Sequence, residues 1–173
     1  MQPQPPEGQP APQPQAWTPP PPIVSNRPGT VTAAAIILII FGVLFALFGL
    51  LFMLAGALFP ALRDSPELSG QFGSLPPSFG VFVLVVGAVL AVWGALEIVA
   101  AIFVLSGRTW ARITAMVLAI LGALISLASV IPGPNGVSPV GAVISGLFVA
   151  GHAFAIWALA SNGRWFASSA GAA

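Results

Sequence analysis

The sequence predicts an all-α protein: a bundle of four transmembrane helices behind a disordered, proline-rich N-terminal tail. Three observations carry this. First, 57% of the 173 residues are hydrophobic and 5% are charged, whereas an ordinary soluble domain carries about 25% charged residues. Second, the hydrophobic residues fall into four stretches of about 19 to 29 residues, and roughly 20 are needed to cross a bilayer as a helix. The stretches are too long for strands and lack the period-2 alternation of a membrane barrel. Third, eleven of the 18 prolines lie within the first 28 residues. The same composition excludes several functions. Five arginines, no lysine and four acids cannot coat a soluble enzyme of this size. They also supply no clustered basic face for nucleic acid. Without cysteine there is no disulfide framework, thiolate metal site or cysteine nucleophile.

Residues 1–29 form the tail. Pro19 to Pro22 follow Trp17, and glutamines fill most gaps between the earlier prolines. Such a segment lacks the N–H donors for helix or sheet and the apolar surface to fold. No basic stretch leads into a short apolar one at the start, so a cleaved signal peptide is not expected. Residues 30–165 form the membrane domain. The first helix covers about 31–59 and ends at Pro60. A polar loop follows, in which Asp64-Ser65-Pro66-Glu67 has capping-box spacing and Phe72, Leu75 and Phe79 rest on the interface. The second helix covers about 80–105, with Glu97 inside it. Ser106-Gly107-Arg108-Thr109 turns the chain into a third helix, about 111–131. Pro132 to Gly136 is a turn, and the fourth helix covers about 139–160. A short tail, 166–173, finishes the chain.

Orientation follows from the arginines. With the N-terminus in the cytoplasm, Arg27, Arg108, Arg112 and Arg164 lie inside and Arg63 outside, as the positive-inside rule requires. Both termini are then cytoplasmic, in a multi-pass protein of the cell membrane. Trp110 and Trp165 flank the inner arginines, where aromatic belts sit.

Small residues mark the helix contacts. Gly42, Gly49 and Gly56 recur every seven residues on the first helix, and Gly87 and Gly94 on the second, continued by Ala101. Gly141, Gly146 and Gly151 dot the fourth. In lipid, helices associate by close packing at such positions. The spacing fits packing within the bundle; the alternative is an interface between copies.

Glu97 and His152 are the ionisable groups deep inside the apolar stretches. An acid at mid-membrane costs about 2.5–3.5 kcal/mol, and the Val, Leu, Ile and Phe residues of residues 81–105 return roughly 5–10 kcal/mol, so the helix still inserts. Glu97 stands eleven residues before Arg108, and His152 twelve before Arg164. At 1.5 Å per residue both lie about 17 Å from their arginines, on helices running the same way, so they are expected at one level. Ser145 lies seven residues before His152. One reading is a proton relay in a small proton-coupled carrier. The other is a hydrogen-bonded clasp. A relay needs polar groups reaching water on both sides, and beyond Ser145, Ser126 and Ser129 the helices offer few. The clasp is preferred.

Other chemistry finds little footing. The single histidine has no serine nucleophile motif to serve. Glu97, His152, Asp64 and Glu67 are divided between membrane and loop, so no metal, cofactor or catalytic residues are expected. The implied partners are the lipid bilayer, a second copy or another membrane protein, and a cytoplasmic partner of the tail, since spaced prolines can dock on aromatic grooves. The preferred role of the tail is to space or tether.

Arg27-Pro28-Gly29-Thr30-Val31 and Gly107-Arg108-Thr109-Trp110-Ala111-Arg112 give the chain a resemblance to small uncharacterised four-helix membrane proteins of actinobacteria with Pro/Gln-rich cytoplasmic N-termini, mostly domains of unknown function. The resemblance implies architecture and location, with no catalytic residues to carry over. The function expected is a structural or interaction component of the membrane, not an enzyme.

Overall fold

The computed structural model describes residues 26–128 and 138–170. Six helices account for nearly all of them: α1 Gly29–Asp64, α2 Ser69–Phe72, α3 Ser78–Leu105, α4 Thr109–Ala128, α5 Pro139–Ser161 and α6 Gly163–Ala170. There is no strand among the described residues. The helices α1, α3, α4 and α5 are each long and apolar enough to cross a membrane. The expected disorder of the tail falls on residues 1–25, and the Pro132–Gly136 turn on 129–137, all outside the described residues.

The four long helices alternate in direction, so Arg27, Arg108, Arg112 and Arg164 gather at one end and the 65–77 connection lies at the other. We call these the arginine end and the loop end. α1 packs along α3 and α5, and α4 along α5 and α3. α3 and α5 therefore occupy opposite corners.

The seam between α1 and α3 is made of glycine. A Cβ on Gly42 would come within 2.8 Å of the Gly94 carbonyl oxygen, one on Gly49 within 2.6 Å of the Gly87 oxygen, and one on Gly56 within 2.6 Å of the Gly80 oxygen. Each step of seven forward on α1 is a step of seven back on α3, which is the antiparallel register. The contacts are reciprocal: the oxygens of Gly42, Gly49 and Gly56 lie against Gly94, Gly87 and Gly80 in turn. Backbones this close exchange dispersion and weak Cα–H···O contacts that any side chain would block.

Pro60 does not end α1; the helix continues through it to Asp64. Proline removes the hydrogen bond to the carbonyl four residues back. That carbonyl belongs to Gly56, and it faces Gly80 across the seam, so tertiary packing occupies the oxygen that proline leaves free. The capping box is not formed either. The Ser65 hydroxyl donates backward to the Leu62 carbonyl at 2.9 Å, and α2 has no side-chain cap. Phe72 and Phe79 instead pack on Phe59, with ring centroids 6.4 and 5.5 Å away.

At the arginine end all four long helices contribute to one core, rich in alanine: Ala34 and Ala35, Ala100 and Ala101, Ala111, Ala115 and Ala119, Ala155 and Ala158, filled out by Leu38, Leu159 and Phe166. Towards the loop end the core narrows. Before His152, no residue of α5 is buried. Gly146 would meet nothing within 4 Å and Gly141 only its own neighbour Ser138, whereas Gly151 packs on the Phe41 ring. The glycines of α5, five residues apart, thus form no continuous packing stripe.

The Gly-Arg pairs that follow α3 and α5, Gly107-Arg108 and Gly163-Arg164, fold differently. Gly107 takes φ +75°, the Gly107 N–H donates to the Val104 carbonyl and the Arg108 N–H to the Phe103 carbonyl. This is the left-handed glycine stop of a helix. Gly163 instead opens α6, Gly163–Ala170, so residues 166–170 are helical where a short tail was expected over 166–173. The cause is Phe166, whose fully buried ring draws the segment back against the bundle.

Candidate functional site

Glu97 shares a face of α3 with Gly94 and Ala101, the face turned into the bundle. His152 projects from α5 at the opposite corner. The imidazole Nε2 stands 3.2 Å from Glu97 Oε1, and both side chains have 0% exposure. His152 Nδ1 lies 2.8 Å from the Phe148 carbonyl oxygen. A carbonyl only accepts, so Nδ1 carries a hydrogen and donates it. One further proton then joins Nε2 to Oε1.

The other two long helices close the seat. Phe41 of α1 lies 4.9 Å from the imidazole, centroid to centroid, and stacks on Phe148 at 4.5 Å. On α4, a Cβ at Gly122 would stand 2.6 Å from Nε2. Glycine there is what lets the ring reach across the bundle diagonal. Glu97 Oε2 is buried without a hydrogen-bond partner among the described residues. Ser145, seven residues and about two turns away, is half-buried. Asp64 and Glu67 are distant, at the loop end, and no group of three or more metal-ligating side chains occurs among the described residues.

A second polar cluster pins the arginine end. Arg112 does more than face the cytoplasm: its Nε donates to the Leu159 carbonyl at 2.9 Å and its Nη2 to the Ala160 carbonyl at 3.3 Å. These are the last-turn acceptors of α5, which a cation satisfies well. The guanidinium sits 5.6 Å over the Phe166 ring, and a Cβ at Gly163 would come within 3.0 Å of it. Beside it, Asn162 Nδ2 donates to Thr30 Oγ1 at 3.0 Å and to the Ala158 carbonyl at 2.7 Å, joining the end of α5 to the start of α1. Sequence reasoning missed Asn162 and Phe166. The signal was present: a bulky Trp165-Phe166 pair directly after a helix stop. Arg27, Arg108 and Arg164 are exposed, Arg108 lying 5.8 Å over the Phe103 ring.

A buried acid–imidazole pair and a carbonyl-capping arginine, held among four apolar spanning helices, define a polytopic helical membrane protein. A model of a domain of unknown function, DUF7144, matches residues 77–164, half of the chain, and the chain belongs to that family. The matched region holds Glu97, His152, Arg112 and Asn162, while α1, whose glycines face those of α3, lies outside it. No curated protein and no solved structure matches the chain.

Proposed function

We propose that this protein is a non-catalytic structural or interaction component of the cell membrane, with both termini cytoplasmic, and that Glu97 and His152 are a clasp fastening α5 to α3. The observation that carries this reading is the closed seat. Both groups are wholly buried, with Gly122 and Phe41 packed against the imidazole and no room for a substrate between them. A hydrogen-bonded pair holds a corner-to-corner contact that apolar side chains cannot hold in lipid, where they gain little by meeting.

Glu97→Gln tests it. Glutamine keeps the shape of the glutamate side chain and offers an N–H to Nε2. In a clasp the variant stays folded, within about 0.6 kcal/mol of the parent, the average for an interhelical hydrogen bond in a membrane protein. Proteoliposomes of parent and variant then respond alike to an imposed pH gradient, read by an entrapped dye. The carrier alternative predicts a gradient-driven flux in the parent that vanishes in a well-folded Glu97→Gln protein, and that result sinks the clasp. Orientation is tested separately: a reporter active only in the cytoplasm works when fused after Ala173, and activity of an exported reporter there overturns the topology.

A further inference from the structure

We propose that the arginine end is a docking surface for the headgroups of anionic bilayer lipids. Of the four arginines at this end, Arg112 is turned inward onto the Leu159 and Ala160 carbonyls. The other three are exposed and come from three separate places: Arg27 before α1, Arg108 between α3 and α4, and Arg164 at the start of α6. None has a carboxylate partner among the described residues; the ion pair found there is Glu97 with His152. Asp64 and Glu67 lie at the loop end beside Arg63. Positive charge is therefore concentrated on one end of the bundle and meets no carboxylate among the described residues.

The setting decides what neutralises it. Trp110 is 48% exposed and Trp165 half-buried, and indole rings of this kind sit at headgroup depth. Planar guanidinium forks match phosphate oxygens in a bidentate way. Directly below Arg108 and Trp110 the uncovered side chains turn apolar, with Phe103 and Ile113 facing outward. A lipid satisfies both levels at once, its phosphate at the arginines and its chain along the helices. A free phosphate or a soluble protein meets only the first. Attraction to an anionic leaflet is worth about 1 kcal/mol per arginine near the surface, a roughly fivefold preference each.

The test uses the full chain in neutral detergent micelles, titrated with phosphatidylglycerol or phosphatidylcholine, with bound lipids counted by native mass spectrometry. Phosphatidylglycerol binds at least tenfold more tightly. Arg108→Gln with Arg164→Gln, both exposed, abolishes most of that preference at unchanged thermal stability, and Arg63→Gln at the loop end preserves it. Equal binding of the two lipids by the parent, or a preference that survives the double substitution, overturns the proposal. Displacement of phosphatidylglycerol by millimolar inorganic phosphate overturns it too, since it marks a free-anion site.

Discussion

α3 is held by α1 and α5 by its neighbours, and the two attachments use opposite physics. Among the described residues no side-chain hydrogen bond joins Gly42, Gly49 and Gly56 to Gly94, Gly87 and Gly80 along the α1–α3 seam. It runs from Gly42 to Gly56, backbone against backbone, and depends on what is missing from each residue. α5 is fastened by polar bonds, His152 to Glu97, its last carbonyls to Arg112 and Asn162 to Thr30, all in the half near the arginine end. In its other half no residue is fully buried. Shape holds a helix along its length, whereas a few buried polar bonds hold it at points. The seam should therefore be intolerant of added atoms, and α5 intolerant of lost ones.

Four substitutions sharpen or break that contrast, read as unfolding free energies in a denaturing-detergent titration. Gly49→Leu forces a side chain into the Gly87 and Ala91 backbone and costs about 3 kcal/mol or more, overpacking with no rotamer to relieve it. A fully folded variant would mean the seam is not close-packed. Glu97→Ala leaves Nε2 buried and unpaired, a loss of about 1–3 kcal/mol, and an effect no larger than that of Glu97→Gln would remove the polar fastening from the account. Arg112→Gln, part-exposed, costs about 1 kcal/mol, and protease should clip α6 first if Phe166 loses its cover. Gly146→Ala, in open space, gains a few tenths of a kcal/mol from helix propensity. A loss there would reveal a neighbour on that face.

Much of this was legible beforehand because membrane-spanning length and equal depth are arithmetic. The count from Glu97 to Arg108 and from His152 to Arg164 placed both groups at one level, and they stand 3.2 Å apart. The seven-residue glycine spacing on the first two helices likewise names residues that now oppose each other. What the sequence hid was partner choice. Nothing local says that the Gly56 oxygen, freed by Pro60, finds Gly80, so Pro60 read as a stop. Gly146 reads as a small packing residue like Gly49 and has nothing within 4 Å, since a glycine in the sequence does not say what lies across from it. Arg112 read as a charge on one side of the membrane, because its acceptors are carbonyls 47 and 48 residues away.

The long helices are unequal. α1 has 36 residues and α3 28, against 23 in α5. At 1.5 Å per residue α1 measures about 54 Å and α5 about 35 Å, beside a hydrocarbon core about 30 Å thick. Upright, α5 comes near the bilayer thickness and α1 overshoots it. Because α1 and α3 are locked together at three crossings, they must lean as one rod or thicken the lipid around them. A thicker bilayer shortens the overhang of this pair and stretches the fit of the other, so acyl-chain length becomes a dial on the angle between the two halves of the molecule.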